Sequence, residues 1–152
     1  MRGVSHVAIG VSDMDRALKF YRDVLGLKVA LDAQEKLPRF NAKPGDPKTF
    51  QRHAVYMRWN ESDPSFVVLS QNEGEASGKP LKLDQVGIHH FSFWVDDLRE
   101  RFQKMKAAGV KFFADPHESA GEAYGLAHER RVLTCLFQDP DGTVLQFDQL
   151  LN

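Results

Sequence analysis

The chain of 152 residues repeats one order of elements, and this repetition constrains its fold more than any other feature. Each copy begins with a short alternating segment that starts at a histidine, His6 in the first copy and His90 in the second. Each continues past an acidic residue into a segment with helical spacing of apolar residues, which ends at Gly26 or Gly109. Strand-like segments follow in both copies. Because one such unit buries little apolar surface, we expect the two copies to share a core.

The repeat predicts an α+β fold in which two tandem βαβββ modules form a curved mixed sheet around a cavity, with the helices on the outer face. We expect a single domain over residues 1–152, with module one at 1–70, a polar linker at 71–85 and module two at 86–152. The proline-containing segment from Asp32 to Thr49 shows no periodicity, so it is predicted to be an irregular loop that covers the cavity.

Composition excludes several classes of protein. With 42% apolar residues, 27% charged residues and a formal net charge of -1, the chain has no basic surface that would favour nucleic acid or an anionic membrane. No apolar run approaches the roughly 20 residues of a membrane span. Cys135 is the only cysteine, so it is predicted to be a small core residue rather than half of a disulfide. We expect a cytoplasmic protein with a small-molecule ligand.

Strand parity places two histidines and a glutamine on equivalent faces of the predicted sheets. Side chains alternate between faces along a strand, and on this basis Gln146 lies on the face that corresponds to those of His6 and His90. Two imidazoles and one oxygen donor resemble the 2-His-1-carboxylate arrangement of open iron sites, with a neutral amide as the third group. Parity alone leaves open the alternative that all three side chains hydrogen-bond within the fold. Asp148 could substitute as a donor, but near the end of its strand we expect it to be solvated.

Several motifs resemble those of the vicinal oxygen chelate superfamily. They are His6-Val-Ala-Ile-Gly-Val-Ser-Asp, Arg16-Ala-Leu-Lys-Phe-Tyr, Val24-Leu-Gly-Leu, His90, and Asp139-Pro-Asp-Gly ahead of Gln146. The superfamily includes glyoxalase I, extradiol ring-cleavage dioxygenases, methylmalonyl-CoA epimerase and bleomycin-resistance proteins. The resemblance covers nearly the whole chain except the Asp32 to Thr49 segment and the linker. Its motifs are specific for the fold and weak for the reaction, because this fold hosts many chemistries.

The resemblance implies four metal positions, which fall on His6, Val68, His90 and Gln146. Since valine cannot be a ligand, it implies the three-position pattern of extradiol dioxygenases rather than a four-ligand glyoxalase or epimerase site. Gln146 stands where the family usually has glutamate, and Leu136 stands where ring-cleaving members tend to have tyrosine. The remaining candidates are His128 as an acid/base catalyst and, as substrate-binding residues, Tyr56, Val68 and Trp94.

The expected function is therefore that of an extradiol-type metalloenzyme, with iron(II) or manganese(II) held by His6, His90 and Gln146 and a catechol-like substrate. One alternative is a lyase or isomerase of the glyoxalase kind, and another is a bleomycin-resistance-like binding protein that needs no metal. Because Gln146 is neutral, any metal is expected to be held weakly, and glutamate at this position is expected to hold it more tightly. The sheet edges need covering, which favours a homodimer.

Overall fold

The computed structural model describes residues 3–74 and 78–151. The chain divides into two compact units, Met1–Gly78 and Lys79–Asn152, so their boundary falls within the predicted linker at 71–85. Part of that linker, residues 75–77, lies outside the described residues. Within the described part of the chain, no helix is long and apolar enough to cross a membrane.

The first unit contains one four-stranded mixed sheet and one helix. In chain order its elements are β1 (His6–Gly10), α1 (Met14–Leu18), a π-helical continuation (Lys19–Val24), β2 (Lys28–Pro38), β3 (Thr49–Arg58) and β4 (Phe66–Asn72). The strand order is β1-β4-β3-β2. β1 runs parallel to β4, and the other neighbours are antiparallel.

Local sequence explains where the first helix begins and ends. The Asp13 side chain accepts a hydrogen bond from the backbone N–H of Arg16 at 2.9 Å, which satisfies one of the donors left free in the first turn. The helix ends before Gly26, whose φ of 84° is readily adopted only by glycine. Met14 and Tyr21 are buried, and α1 packs against β4. The helix thus covers one face of the first sheet.

The second unit repeats this order of elements with one additional strand. It contains β5 (His90–Trp94), α2 (Leu98–Ala107), β6 (Lys111–Phe112), β7 (His117–Ala120), a 3-10 turn (Gly121–Tyr124), β8 (Arg131–Gln138) and β9 (Val144–Leu151). The strand order is β5-β9-β8-β6, with β7 also pairing to β8. β5 runs parallel to β9, as β1 does to β4. This confirms the predicted α+β class and the tandem βαβββ modules. The enclosed cavity stays a prediction.

Aromatic side chains form the core of the second unit. Phe137 is fully buried, with its ring centroid 4.8 Å from that of Phe147 and 5.6 Å from that of Phe112. Phe102 of α2 lies 4.7 Å from Phe112 between ring centroids. The odd-numbered residues of β9 therefore face α2, and its even-numbered residues face the other way.

The prediction of an irregular loop from Asp32 to Thr49 is wrong over its first part. β2 continues to Pro38 and pairs with β3 along its length, ending with Pro38 opposite Thr49. Most of its side chains are exposed, so the strand shows no alternation of apolar and polar residues from which it could be predicted. Pairing with β3 stabilises it instead. The irregular segment is the connection at residues 39–48.

The segment between β6 and β8 also contains regular structure. β7 pairs with β8, and the 3-10 turn follows it directly. Gly121 begins this turn in a crowded place, because a Cβ there would lie 2.8 Å from the Cβ of Arg130. The turn ends at Tyr124.

Cys135 lies in the core of the second unit, as predicted, and only 1% of it is exposed. Burial raises the pKa of its thiol to about 11, so the reactive thiolate is rare at neutral pH. We expect the native protein to resist alkylation by iodoacetamide at pH 7.5, and the denatured protein to be alkylated fully at this residue. Mass spectrometry after timed quenching measures both rates. Alkylation of the native protein at the rate of the denatured chain would contradict this core position.

Candidate functional site

The second sheet has a polar face on the side away from α2. Strand register pairs Ser92 with Gln146 and Trp94 with Asp148, and it places His90 opposite Val144. Paired residues share a face, and so do residues two positions apart in one strand. His90 and Gln146 therefore lie on the same face of neighbouring strands, with Gln146 two positions beyond Val144. We call the face that carries these residues the polar face of the second sheet.

A buried carboxylate organises this polar face. Asp148 is 3% exposed and accepts hydrogen bonds from the Tyr124 hydroxyl at 2.8 Å, from Gln146 Nε2 at 2.8 Å and from the Ser92 hydroxyl. Within the described residues, three donor groups reach this carboxylate and share it as their acceptor. We call Ser92, Tyr124, Gln146 and Asp148 the Asp148 cluster.

These hydrogen bonds define which way the Gln146 amide faces. Its Nε2 donates to Asp148 Oδ1 and also lies 3.2 Å from the Tyr124 hydroxyl, which accepts because its own proton goes to Asp148. Among the described residues nothing donates to Gln146 Oε1. The carbonyl oxygen is therefore available to a ligand on the polar face.

His90 is oriented by its neighbour in sequence. Its Nδ1 lies 2.7 Å from Nδ1 of His89, with the two rings stacked at 4.7 Å between centroids. Within residues 3–74 and 78–151, no partner engages Nε2 of His90. Burial lowers the pKa of His90, repulsion from His89 lowers it further, and attraction to Asp148 opposes both. The imidazole thus stays neutral, which is the form that binds metals, at lower pH than a free histidine would.

Tyr124 connects the cluster to an aromatic surface. Its ring centroid lies 6.0 Å from that of Trp94, which is 62% exposed. Burial is the main cause that raises the pKa of Tyr124, and the hydrogen bond to Asp148 adds to it. Tyr124 therefore remains a neutral hydroxyl at physiological pH.

The corresponding face of the first sheet carries the other predicted residues. Register aligns Val68 with Ala8 and Tyr56, and His6 with Phe66, so all of them share one face. The His6 ring stacks on Phe66 at 5.0 Å between centroids, and His6 Nδ1 lies 3.0 Å from the Ser5 hydroxyl. Val68 is 3% exposed, as expected for an apolar residue in a position that cannot bind metal.

Tyr56 belongs to a charged group on that same face. Its hydroxyl donates to Glu35 at 2.8 Å, and Arg52 Nε donates to the same carboxylate at 3.0 Å. The hydrogen bond from Tyr56 is the main cause that lowers the pKa of Glu35, with the bond from Arg52 next. Glu35 in turn raises the pKa of Tyr56. These partners hold the Tyr56 side chain in place.

The structure thus brings the predicted residues together in two groups. His90, Gln146 and Trp94 share the polar face of the second sheet, and His6, Tyr56 and Val68 share one face of the first sheet. That both groups contribute to one site stays a prediction. The side chain of His128 is 82% exposed, and its Nδ1 lies within hydrogen-bond distance of Glu122 Oε1 at 2.6 Å, so its predicted catalytic role rests on no contact with either group.

Sequence reasoning misplaced Asp148 and did not predict its contacts with Ser92 and Tyr124. Asp148 was expected to be solvated, but β5 and the 3-10 turn cover it and bring Ser92 and Tyr124 onto it. The even spacing of Gln146 and Asp148 was a signal that they share a face. Tyr124 gave no such signal, because it lies in a short 3-10 turn whose position depends on β7 and β8.

The donors present fit a divalent cation in type, although not as a conventional carboxylate site. Within the described residues, no three or more His, Cys, Asp or Glu side chains come together as metal ligands would. A metal on the polar face would instead use the Nε2 of His90 and the Oε1 of Gln146. Imidazole nitrogen suits iron, zinc and nickel, and a carbonyl oxygen suits harder cations such as manganese.

The fold and this arrangement agree with a known superfamily. The profile of the Glyoxalase/Bleomycin resistance protein/Dioxygenase superfamily matches residues 3–147. The chain therefore belongs to this superfamily, also called the vicinal oxygen chelate superfamily.

Two curated relatives illustrate its similarities. The chain is 29% identical over 143 residues to a probable chloroplastic lactoylglutathione lyase of Arabidopsis thaliana, covering 93% of this chain and 34% of that protein. It is 26% identical over 150 residues to an ethylmalonyl-CoA/methylmalonyl-CoA epimerase of Cereibacter sphaeroides, covering 97% of each. The chain thus spans about a third of the plant relative and nearly all of the bacterial one.

Solved structures show the same fold. A glyoxalase family protein from Bacillus cereus superposes with a TM-score of 0.74 at 16% identity, covering 100% of this chain and 96% of that chain. The trypanothione-dependent glyoxalase I of Leishmania major superposes with a TM-score of 0.63 at 23% identity, covering 97% and 86%.

Proposed function

We propose that this chain is a metal-dependent enzyme that acts on a small molecule with two neighbouring oxygen atoms. The observation that carries the proposal is that His90 and Gln146 lie on one face of neighbouring strands, each with one ligand atom available and its other polar atom engaged. His6, on the equivalent face of the first sheet, is the proposed third ligand. When bound, a divalent cation would supply Lewis acid chemistry to a substrate carbonyl or hydroxyl.

The other residues of the two faces have proposed roles in binding the substrate. Trp94 offers an exposed aromatic surface beside Tyr124, and Tyr56 and Val68, which pair on neighbouring strands of the first sheet, keep their proposed role in substrate binding. The neutral Tyr124 hydroxyl donates to Asp148, so it helps to orient the site rather than to remove a proton. His128 stays the proposed acid/base residue, because its exposed imidazole can exchange protons with solvent.

Lyase or epimerase chemistry is the favoured reaction class. The curated relatives reported above are named as a lactoylglutathione lyase and as an epimerase of acyl-CoA compounds, and the second of these aligns over nearly its whole length. Both names describe acyl thioesters, in which a carbonyl can lie next to a second oxygen-bearing group. Extradiol ring cleavage with iron(II) or manganese(II) is the second candidate, and it is favoured by Val68, which leaves three ligand positions instead of four.

Binding without catalysis is the alternative from another class. It is favoured by Gln146, because an amide can neither act as a base nor neutralise a cation. Homodimer formation and a cytoplasmic location stay proposals as well.

One set of assays distinguishes these functions. Chelator-treated protein is loaded separately with iron(II), manganese(II), nickel(II) or zinc(II) under anaerobic conditions. The loaded protein is then assayed three ways, with oxygen supplied for the third. The assays follow the loss of a methylglyoxal–glutathione hemithioacetal, deuterium exchange from solvent into methylmalonyl-CoA, and oxygen uptake with catechol. We expect metal-dependent turnover in one of the first two. Oxygen uptake alone would favour ring cleavage, and failure to bind any metal would leave the binding protein.

A further inference from the structure

We propose that Asp148 supplies the negative charge that Gln146 lacks and keeps the Gln146 amide turned with its oxygen toward the cation. The metal part of this inference rests on the proposed function. Asp148 acts here as a positioning residue, because it would contact the cation only through Gln146.

The orientation follows from the hydrogen bonds of the Asp148 cluster. The Asp148 carboxylate accepts hydrogen bonds from Ser92 and Tyr124 and has no proton to donate to residue 146. Residue 146 must therefore present a donor to it, and Gln146 Nε2 does so at 2.8 Å. The Tyr124 hydroxyl, whose proton is already donated, accepts from the same nitrogen. Turning the amide over would bring its oxygen against Asp148, so the outward position of Oε1 is strongly favoured.

The charge follows from the position of Asp148. Imidazole and amide ligands are neutral, so they leave both charges of a divalent cation uncompensated, which is costly in a partly dry environment. Asp148 is 3% exposed, so its charge is weakly screened by solvent, and only one amide group separates it from the proposed cation. Carboxylates behind metal ligands commonly orient them and strengthen their binding. In this chain the negative charge would lie on Asp148, which is hydrogen-bonded to the proposed ligand Gln146, and not on the ligand itself.

This arrangement changes the expected effect of glutamate at position 146. In the metal-free protein, Gln146→Glu would place one carboxylate against another where 2.8 Å now separates a donor from its acceptor. The variant should therefore be less stable without metal. Asp148→Asn in the same chain should remove this penalty, because an amide at 148 can donate to a carboxylate at 146.

The experiment compares wild type with Gln146→Glu, Asp148→Asn and the double variant. The control is Asp139→Asn, which replaces another buried carboxylate, one that accepts from the backbone N–H groups of Asp141 and Thr143. Urea unfolding of metal-free protein gives the stability coupling between positions 146 and 148. Calorimetric titration with manganese(II) gives the dissociation constants.

We expect Asp148→Asn to weaken manganese(II) binding about tenfold or more, since outer partners of metal ligands typically contribute this much. The double variant should regain at least wild-type affinity, and Asp139→Asn should change it less than about twofold. In metal-free protein, Gln146→Glu should lower the equilibrium constant for folding at least tenfold more in the wild-type background than in the Asp148→Asn background.

Any of three results would overturn the inference. Additive effects of the two substitutions on the stability of the metal-free protein would show that residues 146 and 148 do not share the contact on which the inference depends. Equal manganese(II) affinity of Asp148→Asn and wild type, or no recovery in the double variant, would show that Asp148 does not supply the charge. If no variant bound manganese(II) while the stability coupling persisted, the proposed function would fail with the metal part of this inference, and the orientation of Gln146 would stand.

Discussion

Replacing His90 with alanine is expected to weaken manganese(II) binding by about 100-fold or more. The Nε2 of His90 is the proposed nitrogen ligand on the second sheet, and losing a ligand should cost at least as much as losing a partner behind one. Calorimetric titration of chelator-treated protein under anaerobic conditions measures the effect. Thermal melting of the metal-free variant shows whether it is folded.

His53→Ala is the matched control for this loss. His53 also lies in a strand and is hydrogen-bonded to Asp32, but register places it on the face of the first sheet opposite to Tyr56. Its removal should leave manganese(II) affinity unchanged. If His90→Ala and His53→Ala both bound the metal as wild type does, the proposed ligand set would be wrong.

Replacing Phe137 with alanine is expected to lower the free energy of unfolding by about 3–5 kcal/mol, the range for large aromatic residues removed from a core. Phe137 is fully buried between Phe112 and Phe147, so truncation leaves a cavity that this aromatic core can fill only in part. Urea unfolding followed by circular dichroism measures the change.

Phe113→Ala provides the comparison within the same unit. Phe113 is 52% exposed, and truncation there should cost less than about 1 kcal/mol because little apolar surface returns to water. Similar losses for the two variants would contradict the assignment of the core to the odd-numbered face of β8 and β9.

The order of elements and the faces of most strands could be predicted from the sequence. Alternation in β5 and β9 assigns His90 and Gln146 to one face, because successive side chains of a strand point to opposite faces whatever surrounds them. The helix ends at Asp13 and Gly26 were predictable for a similar reason, since a cap depends on its nearest neighbours in the chain.

What lies around each of those side chains was decided by the tertiary structure. β2 reaches Pro38 because β3 pairs with it, although its own residues carry no strand pattern. Asp148 is buried because Ser92 comes from a neighbouring strand and Tyr124 from a turn positioned by β7 and β8. Periodicity describes residues a few positions apart, whereas these contacts join segments separated by much of the module. The sequence alone therefore determined that a polar residue at position 146 faces the same side as His90, and only the packed structure determined that its nitrogen is held by a buried carboxylate and its oxygen left available.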